Sequence, residues 1–441
     1  MSVASEAVSA AVAAPAPSRY RYVALGLAAV NHFVVHVFWY TFPVYFVAVI
    51  NEFDWPRGPT AAAFSSFALV AGLGGPISGG LTDRYGPRAV ICIGTLILTV
   101  AAAAAAYVSE LWQFFLCVGI VGGVGMCLAG WIPNVTAVSR WFPERVGTVA
   151  GLVSSAIGLS ILFMVPVAQY LVGHVGWRNT YLLMAAWLLI GLLPSNLLLQ
   201  RRPPVPATRP RAEAAGEGRP AADALVVNAA WAARVWTVRS AIRTWRFWFI
   251  GATFFCSGIS TQLVFAHEIA FLIDSGISGE TAAFAAGLVG LASVIAKIAY
   301  GPISDRIGRE LTFSIAMVFV IAGIAALVSA GATASPGLIY LFPWLFGFGY
   351  SATATLNPAM VADIFRGRSF GAIFGAVAAI SSVGSASGPW IAGTIFDVTG
   401  SYAAAFVTGV ASCVLATVFA WLASPRRVRR PPRQIGRGRP D

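Results

Sequence analysis

The sequence predicts an all-α membrane protein: twelve transmembrane helices in two pseudo-symmetric six-helix bundles, with both termini cytoplasmic. Three observations predict it: the composition, the number of long apolar runs, and a loop motif that recurs half a chain later. Of 441 residues, 58% are hydrophobic and only 10% charged, with a mean hydropathy of +0.77. A soluble domain carries about 25% charged residues, so this excess of apolar surface needs lipid as its solvent. Cys92, Cys117, Cys127, Cys256 and Cys413 all sit in apolar runs without metal-type spacing and read as small buried hydrophobes.

Residues 1–18 are rich in Ala, Ser and Pro, with no basic stretch before an apolar one. They read as a disordered leader, not a signal peptide. Residues 19–199, the first bundle, hold apolar runs at 22–48, 60–81, 89–108, 111–138, 147–172 and 180–199. Residues 245–424, the second, hold runs at 246–273, 281–303, 311–331, 336–362, 370–395 and 402–423. Each run can cross about 30 Å of hydrocarbon as a helix. Between the bundles, 200–244 is a hydrophilic cytoplasmic linker, Pro/Arg/Ala-rich and unstructured by composition in its first part. In its second part Trp231, Val235, Val238, Ile242 and Trp245 share one helical stripe, with Arg234, Arg239, Arg243 and Arg246 largely off it. A helix lying on the membrane and a plain solvated linker both fit. Residues 425–441 form a basic cytoplasmic tail.

Lys297 is the only lysine, so 28 of the 29 basic residues are arginine. With the N-terminus inside, 26 arginines share that side and only Arg57 and Arg178 fall on the other. The positive-inside rule then puts both termini in the cytoplasm, and the expected location is a bacterial-type inner membrane, crossed many times. The net charge of +12 is a topological signal that also suits anionic lipids. Spread over short loops, it fits nucleic acid poorly.

Gly79-Gly-Leu-Thr-Asp83-Arg84-Tyr-Gly86-Pro-Arg88 follows the second run, and Gly301-Pro-Ile-Ser-Asp305-Arg306-Ile-Gly308-Arg309 follows the eighth. Arg140-Trp-Phe-Pro-Glu-Arg145 after the fourth run answers Asp363-Ile-Phe-Arg-Gly-Arg368 after the tenth, and Asn134 answers Asn357. Several matches in register indicate a duplication. The glycines permit tight turns and close helix approach. The aspartates can cap helix amides and pair with neighbouring arginines. Together these residues read as a charged latch that breaks and re-forms as helices slide; simple positive-inside anchoring is the plainer reading.

With these motifs the chain resembles the major facilitator superfamily over essentially its whole length. Within it, the chain looks most like the oxalate/formate antiporter and monocarboxylate transporter group. The carrying residues are Phe53-Asp-Trp55-Pro-Arg57, Arg140-Trp-Phe-Pro-Glu-Arg145, Gly176-Trp-Arg178, His267, a cation in the eighth run and Gly384-x-x-x-Gly388-Pro389. The resemblance implies a central cavity between two bundles and alternating access. It also implies an anion-binding arginine where this chain has Lys297. Animal-type carriers of the group tend to have an aspartate where Ser293 stands, and an acidic-glycine signature where this chain reads Asn31-His32-Phe-Val-Val-His36. The oxalate carriers add a second cation in the eleventh run, which this chain lacks.

Lys297 is expected to dock a carboxylate, because a lysine buried in a span is a compact point charge that needs a partner; snorkelling to the cytoplasmic interface competes with this. His267 is expected to donate a hydrogen bond to substrate or to carry a proton, unless it merely packs. Glu268, the only acid well inside any run, is a proton site or a resting partner for Lys297, unless it sits at the rim. Proton coupling therefore has three candidates: Glu268, His267 and Lys297. Trp131, Asn134, Tyr350, Asn357 and Trp390 are expected to shape the pocket. His32 and His36 share a helix face, lack the further ligand a metal site requires, and read as cavity lining or packing.

One committed cation matches one carboxylate, since a second would stay unpaired in low dielectric. The expected function is secondary transport of a small monocarboxylate, with a proton or against a counter-anion, by a monomer in lipid. The alternatives are an oxalate/formate-type antiporter and an exporter of drugs or hydrophobic compounds; the latter would want acids in the first or fourth run, which hold none. No nucleotide loop, metal cluster or nucleophile–base constellation points to an enzyme, a metal or a cofactor.

Overall fold

The computed structural model describes residues 20–142, 146–201, 227–367 and 369–428. The expected leader, the first part of the linker, most of the tail, Arg145 and Arg368 lie outside the described residues. Among those described, the secondary structure is helical, without a strand.

Helix α1 is Tyr20–Phe53, bent at Thr41, because Pro43 has no N–H for the carbonyl of Trp39. Helix α2 is Arg57–Leu73, continued beyond a 47° bend by Gly75–Tyr85. Helix α3 is Pro87–Ala105, and α4 is Leu111–Trp141. Helices α5 (146–175) and α6 (177–199) meet at Gly176. The second half comprises α7 Trp245–Asp274, α8 Gly279–Ile307, α9 Arg309–Thr333, α10 Pro336–Ile364, α11 Phe370–Thr399 and α12 Ala403–Ala423.

By length and apolarity alone, nine described helices can cross a membrane, or ten with the bent α2. That count takes α5 and α6 as one, and Gly176 divides them. Helix α10 is 29 residues long, and its Tyr, Trp, Thr and Asn side chains lower its hydropathy without shortening it. Each of the twelve apolar runs thus holds a helix. Gly86 (φ 85, ψ 156), Gly176 (φ 80, ψ 158) and Gly308 (φ 101, ψ 156) take nearly one conformation at three helix–helix turns. That region is open almost only to glycine, which explains why both copies of the repeated motif carry one there.

The amphipathic linker helix does not form as one element. Two single-turn helices, Ala229–Ala232 and Val238–Ala241, stand in its place. Asn228 accepts from the Trp231 amide at 2.9 Å and Thr237 from the Ser240 amide at 3.2 Å, so two caps start two helices. Trp231 and Trp236 turn onto Phe365, and Trp231 Nε1 donates to the Ile364 carbonyl at 2.8 Å.

The two halves meet where α2 packs on α11 and α5 on α8, through small residues. A Cβ on Gly290 would stand 2.2 Å from the Gly158 carbonyl oxygen, and one on Gly393 2.6 Å from that of Arg57. Backbones touch there because no side chain intervenes. Toward the arginine-rich end that packing gives out: beyond its bend, Gly75–Tyr85 of α2 packs on helices of its own half, and a Cβ on Gly80, Gly151, Gly301, Gly371 or Gly375 would meet nothing within 4 Å. The halves are therefore sealed at the arginine-poor end and splayed at the arginine-rich end. Gly290→Val is expected to wedge α5 from α8 and cost about 1–3 kcal/mol, seen as a lower unfolding temperature in detergent. An unchanged temperature would show that the two helices do not rest on each other there.

Candidate functional site

Lys297 lies ten residues from the end of α8, roughly 15 Å along the helix. It is half-buried and forms no ion pair among the described residues. Its Nζ stands 5.8 Å from the ring centroid of Tyr350 on α10. Tyr350 is fourteen residues from the end of α10, roughly 21 Å up, so the ammonium points deeper into the protein, away from the basic interface. Phe265 and Phe346 fix the Tyr350 ring, at 4.9 and 6.0 Å between centroids.

The first half faces this cation with aromatic and imidazole groups. His32 and His36 of α1 are within electrostatic reach of Lys297. Tyr40 continues their stripe and meets Phe265 edge-on at 5.5 Å. Trp131 of α4, 42% exposed, packs on His32 at 5.3 Å. One cation without a counter-charge among the described residues, walled by rings, can take one carboxylate. Glu268 on α7 is buried, six residues from the Asp274 end of the helix, and lies within electrostatic reach of Tyr350. Its Oε2 has no hydrogen-bond partner among the described residues, and the pair with Lys297 is not formed in this state.

His267 is placed elsewhere, in the seal. Both ring nitrogens are engaged: Nε2 with the Pro389 carbonyl at 2.9 Å and Nδ1 with the Tyr402 hydroxyl at 3.0 Å. A carbonyl only accepts, so Nε2 carries the hydrogen and Nδ1 takes that of Tyr402. Tyr402 in turn accepts from Arg57 Nη1 at 2.8 Å. Arg57 also grips Asp274 with both terminal nitrogens, at 2.5 and 3.0 Å, and lies 3.8 Å over the Phe396 ring. The amides of Arg57 and Gly58 donate to Asp397 at 2.8 and 2.7 Å, so a carboxylate of α11 caps the N-terminus of α2. Two helices of the second half, α7 and α11, and Tyr402 at the N-cap of α12 thus hold the first turn of α2. Sequence alone assigned Arg57 a part in the topology and in the resemblance, and missed its partners Asp274, Asp397 and Tyr402. The signal was present: Arg57 is one of two arginines on an otherwise arginine-free side. The other, Arg178, pairs with Glu52 inside the first half.

The repeated loop motifs make ion pairs within each half. Arg140 meets Asp83 at 2.5 Å, while Arg309 meets Asp305 at 2.7 Å and Asp363 at 3.3 Å. The polarity is exchanged: the loop supplies the acid in the first half and the arginine in the second. Arg84 stacks on Tyr85, a Cβ on Gly79 would make only ordinary contact with Ile132 at 3.7 Å, and Arg88 and Arg306 form no ion pair among the described residues. No described ion pair joins the halves at this end.

Asn134 is 1% exposed and committed to the backbone. Gly130 (φ −83, ψ −141) breaks α4, and Pro133 has no N–H to offer the Ala129 carbonyl. Asn134 Nδ2 donates to the Ala129 and Gly130 carbonyls at 2.7 and 2.8 Å. Its Oδ1 accepts from Asn31 at 2.8 Å, and Asn31 exchanges two further bonds with Asn196 at 2.9 and 2.7 Å. Three asparagines thereby lock α1, α4 and α6. Asn134→Leu should strand these groups and cost about 2–3 kcal/mol, measured by thermal unfolding; an unfolding temperature equal to wild type would exclude the clamp. Asn357 answers Asn134 in sequence only: α10 is unbroken there, and Asn357 Oδ1 is buried without a partner among the described residues. Trp390 is 51% exposed and lies about 140° around α11 from Gly384 and Gly388, which pack on α7. It does not join the cluster at Lys297. No described group of three or more His, Cys, Asp or Glu is placed to hold a metal.

Two helical halves sealed at one end and parted at the other, with an unpaired cation between them, define a membrane transporter of the alternating-access class. The chain belongs to the Major Facilitator Superfamily, whose family model matches residues 28–274 and again residues 249–440. Monocarboxylate transporter 13 of Bos taurus is 25% identical to it over 369 residues, 83% of this chain and 80% of that protein. Monocarboxylate transporter 4 of Rattus norvegicus is 26% identical over 386 residues, 85% and 78% of the two chains. In fold, the chain is similar to the crystal structure of a bacterial homolog of the human lysosomal transporter Spinster, captured inward-facing and occupied. The TM-score is 0.71 at 15% identity, covering 92% of this chain and 97% of that one.

Proposed function

We propose that this protein moves a small monocarboxylate across the membrane, with a proton or in exchange for a second anion. The observation that carries the reading is Lys297, a cation at mid-membrane depth, faced by rings and without a described ion-pair partner. The names of the two monocarboxylate transporters that it resembles support the same substrate class. With the arginine-rich end in the cytoplasm, the cavity opens inward and the Arg57 clasp closes the outside. A lone ammonium resists enclosure in low dielectric, whereas an ammonium–carboxylate pair is neutral overall. Substrate binding thereby favours the closing of the inner end that must accompany release of the outer clasp. Glu268 suits the proton, because ionising it unpaired costs several kcal/mol. The test is uptake of labelled lactate, pyruvate, formate and oxalate into proteoliposomes, with a pH gradient or a preloaded anion. At least one monocarboxylate should accumulate; failure of all four under both conditions sinks the proposal.

A further inference from the structure

The break in α4 leaves a second feature at the depth of Lys297. The half-helix Trp131–Trp141 starts ten residues, roughly 15 Å, from the arginine-rich end, the same distance as Lys297 on α8. A helix start presents amides without intrahelical acceptors and the positive end of the dipole. Beside it lies an independent anomaly. His32 is 0% exposed, and neither ring nitrogen has a hydrogen-bond partner among the described residues. A buried imidazole left so is costly, and its neighbour His36 is not in that condition, since His36 Nδ1 bonds the His32 carbonyl at 2.9 Å. The His32 ring packs directly on Trp131, the first residue of the half-helix, and Lys297 is within its electrostatic reach. Trp131 lies on the same helical face as the buried Asn134 and Val138, so its exposed surface opens between the halves and not onto lipid.

We propose that His32 and the first turn of the Trp131–Trp141 half-helix form a second recognition point, on the first half, for the end of the substrate remote from Lys297. Neutral imidazole offers one donor and one acceptor, and the helix start offers donors. The ligand class is therefore a small monoanionic carboxylate that carries a further oxygen acceptor: a hydroxyl, a keto oxygen or a second carboxyl group bound in its protonated form. Trp131 covers His32 in the present state, and its ring must swing for the contact to form. The site rests on the carboxylate reading above. It adds that the substrate bridges the halves, with one end on α8 and the other on α1 and α4, so that a single molecule draws both walls together.

Thermal unfolding of the full-length purified protein separates the two claims. The probes are two series at equal concentration: propionate, lactate and malonate, and butyrate, 4-hydroxybutyrate and succinate. In wild type, one oxygen-bearing member should stabilise as if bound at least about tenfold more tightly than its parent acid. His32→Phe should bring that ratio to within about twofold while the parent acid still stabilises. His32→Gln, which keeps a donor and an acceptor, should restore part of the preference and guards against a misfolded Phe variant. Lys297→Met should lose every member. No preference in wild type, or a preference that survives His32→Phe, overturns the second recognition point and leaves the carboxylate reading standing. No stabilisation of wild type by any of the six overturns both.

Discussion

Lys297→Met is expected to abolish carboxylate binding and, in the same protein, to make the ligand-free form more stable. The two effects have opposite signs because the lysine is built for a partner the protein does not supply. No described carboxylate pairs with it, and its ammonium stands 5.8 Å from the ring centroid of Tyr350. Methionine fills similar space and removes the cost of holding a cation at this depth, at most about 2.5–3.5 kcal/mol on insertion scales and less for a partly exposed ammonium. Removing one member of a desolvated charge pair costs about 2–5 kcal/mol, so carboxylate affinity should fall about a hundredfold or beyond measurement. Lys297→Arg keeps the charge but exchanges a compact ammonium for a planar fork, and should hold affinity to within about tenfold. Calorimetric titration and thermal unfolding read both quantities. A structural lysine would behave in the opposite way: its loss would destabilise the empty protein and leave binding intact. Either outcome would remove Lys297 from the site.

The outline of the fold was legible because lipid imposes a strong rule on sequence: every spanning helix must be a long apolar run, and each of the twelve runs holds one. Turn glycines were legible for a similar reason, since Gly86 and Gly308 take a backbone conformation almost closed to other residues. Side-chain roles were less so. Asn134 and Asn357 occupy matching places in the repeat, yet Gly130 breaks the helix just before one, and Pro133 supplies no N–H, so that amide must satisfy the freed carbonyls. A repeat in sequence does not imply a repeat in hydrogen bonding. His267 looked like a cavity group because it is a lone histidine in a span, but its partners come from α11 and the N-cap of α12, more than a hundred residues later. Long-range partners of that kind leave no periodicity to read. The linker stripe failed for a local reason that was in view: Asn228 and Thr237 are both good caps, and two starts within one stripe make two short helices.

Arg57→Gln is expected to open the arginine-poor end. The guanidinium joins Asp274 and Tyr402 and lies over Phe396, so it ties α2 of one half to α7, α11 and the N-cap of α12 of the other with only 15% of its side chain exposed. Such a partly desolvated, two-pronged pair is worth more than a surface ion pair, and about 3 kcal/mol moves the ratio of sealed to open states by roughly a hundredfold. The expected readouts are longer distances between spin labels on the two halves at that end and faster hydrogen exchange over residues 55–60 and 394–402. Asp274→Asn should do nearly the same, and the double variant little more than either alone, because both remove one interaction. Arg178→Gln is the control: its partner Glu52 belongs to the same half, so the ratio should stay put. Asp397 still caps the amides of Arg57 and Gly58 in all these variants, which sets the order of release: the guanidinium lets go first, and the α2 terminus lifts from α11 only when the halves rotate. If Arg57→Gln leaves both readouts at wild-type values, the seal is held by the glycine contacts of α2 with α11 and the clasp is only decoration on it.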